Sequence, residues 1–278
     1  MRVFQTQNNV ATIMQMYTTV MRAPDVEIRG QTCRNIMNAT LVLDGSQPIL
    51  TNFRARNFNL LYAKKEWLWY LGADPFDDSI EEHAKAWKKL KQPNGSFYSN
   101  YGQYIFARPP IEEERGDISQ FEYVVKALKA DRFTRRASMV LLKPEHLYMD
   151  NTDVVCTYAI NFTIEGDALH MTVMMRSNDA VLGFTNDAFC FSMLMEFVYQ
   201  VMSTHYAGLV RGSYTHIANS MHVYEKHYPM VREIVAAPTG DYKRIDVPRP
   251  TPQEVVQLVR SHGKEGSGAY TTWLQADF

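Results

Sequence analysis

Near the start of the chain, Val10, Ile13, Met14, Tyr17, Val20 and Met21 recur at helical spacing and stop before Pro24, which predicts an amphipathic helix. Ala39 to Leu43 reads as a strand, and a long helix follows from about Asn57 to Leu71, ending near Gly72. Ile80 to Leu90 reads as a charged helix and Gln92 to Ser99 as a loop. After a charged turn from Glu112 to Asp117, Phe121, Val124, Val125 and Leu128 form one face of another helix. The period then changes. Strands are expected at Ala137 to Leu142, Val154 to Ile164 and Ala168 to Met175, the last two joined by a turn at Glu165, Gly166 and Asp167. Asp187 to Tyr206 reads as an apolar helix stopped by Gly208, and Val210 to Tyr224 as extended. Ala236 to Pro252 is rich in proline and charge and reads as a surface excursion, before a short helix from Pro252 to Ser261 and a glycine-rich stretch from Gly263 to Gly268. A mixed β-sheet packed by helices, in one α+β domain over residues 1–278, is the simplest account of this order.

Composition narrows the class. At 278 residues the chain can bury a large core. Neither a long apolar stretch nor a basic-then-apolar secretory start is visible, so no membrane span is expected and a cytoplasmic location is. Three cysteines without Cys-x-x-Cys spacing argue against a disulfide frame or a zinc site. The balance of 29 basic against 30 acidic residues gives no sign of a surface for duplex nucleic acid.

The densest chemistry lies between residues 156 and 187. A cysteine attacks as thiolate, and an ordinary thiol pKa of roughly 8.5 leaves little thiolate at neutral pH unless a cation lies close. Hairpin pairing of the two strands would return Arg176 toward Cys156 and supply that cation. A lone cysteine is more often a buried small hydrophobe, the reading kept for Cys33 and Cys190. Arg176, Ser177, Asn178 and Asp179 follow, a cluster able to hold an anion and read a polar ring. His222 and Tyr224 alternate on a strand and so face one way.

These motifs resemble those of the thymidylate synthase superfamily, and within it the deoxycytidylate hydroxymethylase branch. The similarity runs from about Arg29 to Tyr228, and is strongest in Thr134 to Arg136, the Cys156 strand, Arg176 to Asp179, Leu182 to Phe184, and His222 to Tyr224. Weaker parallels are Arg29 and Gly30, Glu66 to Tyr70, and Ser99 to Gly102. Two departures from the synthase pattern stand out. Val154, Val155, Cys156 and Thr157 replace the usual proline pair and histidine around the nucleophile. Asp187 stands where a synthase has the asparagine that reads uracil; Asn186 beside it would take that place if the alignment shifted by one residue. A carboxyl group suits cytosine, which presents an amino donor and an N3 acceptor, as an amide suits the reverse pattern of uracil.

The resemblance implies a one-carbon transferase using 5,10-methylenetetrahydrofolate. Cys156 would add to C6 of the pyrimidine, Asp187 would protonate N3, Glu66 would serve as general base and water organiser, and Tyr101 would help remove the C5 proton. Arg176, Ser177 and Arg29 would hold the phosphate together with Arg135 and Arg136 from the partner of a homodimer; His222 and Tyr224 would contact the sugar, and Asp179 and Trp87 the pterin. Water at the final step gives 5-hydroxymethyl-dCMP, favoured by the closeness of Trp87 to Gly102 to the hydroxymethylase pattern. Hydride gives 5-methyl-dCMP, or dTMP if Asn186 reads the base. CMP as substrate and a catalytically silent nucleotide-binding protein are the other readings. The expected partners are free pyrimidine nucleotides rather than nucleic acid, and such a product fits a phage, acting in the host cytoplasm, or an antibiotic pathway.

Overall fold

In chain order the elements are β1 (Arg2–Phe4), α1 (Asn9–Met21), β2 (Asp25–Ile28), β3 (Gln31–Asp44), α2 (Leu60–Gly72), α3 (Ile80–His83), α4 (Gly102–Ile105), α5 (Gln120–Ala130), β4 (Ser138–Val140), β5 (Thr157–Glu165), β6 (Ala168–Met175), β7 (Asn178–Asp179), α6 (Gly183–Ser203), β8 (Val210–Tyr224), α7 (Tyr228–Ala236), α8 (Pro252–Arg260) and α9 (Ala269–Gln275). The computed structural model describes residues 1–28, 30–108, 118–148, 151–237, 242 and 245–277. Arg29, the turn from Glu112 to Asp117 and part of the excursion from Ala236 to Pro252 therefore lie outside the described residues or partly so.

The strands form one mixed sheet ordered β1-β3-β8-β6-β5-β4, with β2 on β3 and β7 on β8. Its long central pair is antiparallel, Cys33 opposite Tyr224 and Asp44 opposite Ser213. The expected hairpin is present: Glu165 pairs with Ala168 across Gly166, whose φ of +56° is a left-handed conformation glycine adopts freely. β6 and β8 run parallel, so the chain must cross over between them, and α6 makes the crossing. That helix is apolar almost all round and buried accordingly, from Phe184 through Phe197 to Met202. Along β6 burial alternates strictly: Leu169, Met171, Val173 and Met175 face the core while His170, Thr172 and Met174 stay half-exposed on the other face.

The α+β mixed-sheet architecture expected above is the one observed, with several boundaries corrected. The strand expected from Val154 begins at Thr157, because the Val154 and Val155 carbonyls accept from the Arg176 guanidinium instead of a neighbouring strand. The helix expected from Asp187 begins at Gly183: Gly, Thr and Asn are poor helix formers, but burial of Phe184 and Thr185 overrides local propensity. Ile80 to Leu90 is not one helix. Ala84 is extended and a 3-10 turn, Lys85–Lys89, follows, placing Trp87 beside Trp69 at 4.9 Å between ring centroids. The glycine-rich stretch leads into α9, whose Tyr270 hydroxyl accepts from the Trp67 indole at 3.0 Å. No helix among the described residues is long and apolar enough to cross a membrane.

Candidate active site

A cleft of about 680 Å³ opens where α2, the Ser99–Tyr101 turn, the segment before β5, β7, the start of α6 and the end of β8 converge. That volume is ordinary for a small-molecule site. Of the residues singled out from the sequence, Glu66, Trp87, Tyr101, Cys156, Arg176, Ser177, Asp179, Asp187, His222 and Tyr224 all line it. Arg135 and Arg136 do not: both are exposed, away from this chain's cleft. Arg29 lies outside the described residues.

Sheet pairing carries Arg176 back to Cys156. The Arg176 amide donates to the Cys156 carbonyl at 2.8 Å, and its guanidinium lies 3.3 Å from Cys156 Sγ. The same guanidinium donates to the carbonyls of Val155 (3.0 Å) and Val154 (2.6 Å). It thus clamps the approach to β5 and sets a fixed cation against the sulfur. A second clamp comes from Asp153, which accepts from the Ser99 amide (2.7 Å) and hydroxyl (2.8 Å), while Gln92 donates to the Asp153 carbonyl at 3.0 Å. Sequence reasoning assigned Asp153 nothing; a carboxylate three residues before the nucleophile was its only signal.

Glu66 projects from α2 and is buried. Burial first, then the Asp187 charge, push its carboxyl up to about 8, against the lowering effect of the Tyr62 hydroxyl that donates to Oε1 at 3.0 Å. Tyr62 in turn accepts from the Trp87 indole at 3.0 Å. Tyr62 stands four residues before Glu66, one helical turn, and that spacing is how it would be found in sequence. Tyr101 stacks on Phe191 (5.8 Å between centroids) and lies 5.5 Å from Tyr70; burial raises its phenol well above the ordinary range. This close approach to α2 requires Gly102, where an added Cβ would sit 1.7 Å from the Tyr70 carbonyl oxygen.

Asp187 and Asn186, adjacent on α6, have different partners. The Asn186 amide donates to the Leu182 carbonyl of its own helix at 3.0 Å. Asp187 Oδ2 accepts from Asn178 at 2.7 Å. Its carboxyl reaches solvent through the cleft yet is surrounded by protein, and burial pushes it up to about 7, with Asn178 opposing and the Asp179 charge adding. Asp179 itself caps the approach to α6, its Oδ1 accepting from the amides of Val181 (2.8 Å) and Leu182 (3.2 Å). Arg56, another residue not singled out, lines the cleft, donating to the Val181 carbonyl (3.0 Å) and the Thr185 hydroxyl (3.2 Å). His222 and Tyr224 share the cleft wall with ring centroids 4.9 Å apart. Among the described residues no group of three or more His, Cys, Asp or Glu side chains is placed to hold a metal ion.

The sequence pattern described as "Thymidylate synthase" matches residues 9–260. A putative thymidylate synthase of Methanocaldococcus jannaschii is 30% identical over 152 residues, 53% of this chain and 64% of that protein. A thymidylate synthase of Fusobacterium nucleatum is 26% identical over 65% of this chain and 62% of its own length. The chain therefore spans less than two thirds of these two relatives. The deoxycytidylate 5-hydroxymethyltransferase of Enterobacteria phage T4 is 27% identical over 216 residues, 74% of this chain and 81% of that protein. In three dimensions the thermostable thymidylate synthase A from Bacillus subtilis superposes with a TM-score of 0.68 at 20% identity, covering 84% of this chain and 85% of that one.

Proposed function

Because the chain belongs to the thymidylate synthase family, we propose that it transfers a one-carbon unit to C5 of a pyrimidine nucleotide, that the nucleotide is dCMP, and that the product is 5-hydroxymethyl-dCMP. The observation that carries the cytosine assignment is the Asp187 carboxyl on the cleft wall, raised to about 7 by burial. A carboxyl that keeps a proton near neutrality donates to N3 and accepts from the exocyclic amino group of cytosine, the pattern uracil reverses.

Cys156, beside the Arg176 guanidinium, attacks C6. The C5–C6 π electrons are then free to make C5 nucleophilic, and the proton Asp187 shares with N3 neutralises the charge that would otherwise accumulate on the ring. 5,10-Methylenetetrahydrofolate would supply the electrophilic carbon. The donor set fits it: the Trp87 ring offers a flat wall, and Asp179 keeps acceptor capacity beyond its two backbone bonds. Tyr101 and the water organised by Glu66 take up the C5 proton; the carbon–nitrogen bond to tetrahydrofolate would break as that proton leaves, and water would add to the carbon left on C5 before Cys156 leaves C6. Ser177 and Arg176 hold the phosphate, and His222 and Tyr224 the sugar. A homodimer would bring Arg135 and Arg136, and the Arg29 loop would join them; the half-exposed sheet face of β6 is the surface available for pairing. The whole chain acts as one catalytic unit in the cytoplasm.

Tritium release from C5-labelled dCMP and dUMP, with the product's mass, tests this reading. Release from dCMP with addition of a hydroxymethyl group is expected. Release from dUMP alone would point to the thymidylate-forming alternative, which the position of Asn186 on the same wall favours; no release from either would leave a binding protein.

A further inference from the structure

Behind Asp187 runs a line of buried hydrogen bonds that the chemistry above does not use. The Tyr214 hydroxyl is 2.8 Å from His216 Nδ1, His216 Nε2 is 3.1 Å from Asn178 Oδ1, and Asn178 Nδ2 is 2.7 Å from Asp187 Oδ2. Tyr214 and His216 are fully buried and Asn178 nearly so. From this geometry we propose that Tyr214 and His216 are positioning residues that fix the Asn178 amide, and through it decide which Asp187 oxygen presents a proton to the base.

The direction of the chain follows from donor counting. Among the described residues His216 Nδ1 is the only hydrogen-bond partner of the Tyr214 hydroxyl, so any other arrangement leaves a buried O–H without an acceptor. Nδ1 therefore accepts. Burial holds His216 neutral, pushing it down to about 3, so its single ring proton sits on Nε2 and is donated to Asn178 Oδ1. The Asn178 NH₂ must then point at Asp187. Packing keeps the chain in place: the Phe184 ring meets His216 edge-on at 5.0 Å, and a Cβ on Gly183 would come within 2.9 Å of Asn178 Nδ2 and 3.5 Å of Asp187 Oδ2. With Oδ2 held as acceptor, a singly protonated Asp187 carries its proton on Oδ1. N3 of cytosine then lies over Oδ1 and the amino group over Oδ2. Uracil would need the opposite placement, against the Asn178 N–H.

This inference rests on the base-reading role of Asp187, and two readouts separate them. Dissociation constants for dCMP and dUMP are measured on the intact protein, and the Asp187 carboxyl is titrated by carbon-13 NMR without nucleotide, its signal assigned by loss in Asp187→Asn. The other ionisable groups around it are Glu66 and Tyr70 on α2, Asp179 on β7, Cys190 on α6, Tyr101, and Tyr214 on β8; His216→Phe alters none of them, and Tyr214→Phe removes only a phenol that burial keeps protonated through the titration. In His216→Phe the preference for dCMP should fall at least tenfold, and the Asp187 midpoint should rise as its donor loosens. Tyr214→Phe, which keeps the ring, should move both the same way by less. A folded His216→Phe protein with unchanged preference and midpoint overturns the proposal; if that variant does not fold, an unmoved midpoint in Tyr214→Phe does so. Should the unaltered protein show no preference for dCMP, the base-reading role fails, and the nucleotide-free midpoints alone decide on the relay.

Discussion

Replacing Glu66 by glutamine should flatten the dependence of stability on pH. The Glu66 carboxyl goes from an ordinary 4.5 to about 8 in the fold, chiefly by burial. Between those values the folded protein holds a proton that the unfolded chain has released. Each unit of rising pH in that window therefore costs the folded state about 1.4 kcal/mol, the free energy of one proton per tenfold dilution. The stabilisation is complete below the unfolded value and is lost as pH rises through about 8. From about pH 5.5 to about pH 7.5 the loss from this one group is about 3 kcal/mol. For a chain of this size that is roughly 6–12 °C in Tm. Glutamine keeps the volume and an acceptor for the Tyr62 hydroxyl but has no proton to lose. Urea unfolding of the nucleotide-free protein at both pH values measures the difference. Asp187, also raised by burial, slopes the same way in both proteins, so that only its charge coupling to Glu66, smaller than the burial of Glu66, survives the comparison. Parallel pH profiles for the two proteins would refute the reasoning and place Glu66 in an environment where ionisation is not penalised.

Cys156→Ser should abolish tritium release from C5 while leaving dCMP affinity within a few-fold, read by isothermal calorimetry; residual release would remove the sulfur from the covalent step. Asp187→Asn should move preference toward dUMP by tenfold or more in competing exchange, and an unchanged preference for dCMP would take Asp187 out of base reading. Gly102→Ala forces a methyl group onto the Tyr70 carbonyl and should cost more than about 3 kcal/mol in urea unfolding together with most activity. A Gly102→Ala protein of ordinary stability and rate would show that α2 can move aside freely.

Much of this cleft could be read along the chain because its parts are local. The turn signal at Gly166 between two apolar runs specifies a hairpin that returns Arg176 toward Cys156, and a register shift between Thr157 and Ala159, which the sequence does not announce, brings the two into contact. Long apolar runs likewise placed Glu66 on a helix and Asp187 at the start of one, although α6 begins four residues earlier, at Gly183. Boundaries went astray where a distant partner outbid local preference, as at Val154, whose carbonyl is taken by a guanidinium, and at Gly183, where the start of α6 is set by buried Phe184.

The sequence by itself determined the mixed-sheet class, the hairpin and the identity of the chemical groups, since period, turn residues and side-chain types act over a few positions. Only the tertiary structure decided their states. That Glu66 and Asp187 are pushed toward neutrality, that Asn178 turns its NH₂ to Asp187, and that Asp153 is pinned by Ser99 all depend on groups far apart in the chain. Burial and hydrogen-bond direction are properties of the assembled neighbourhood, which no short window of residues encodes.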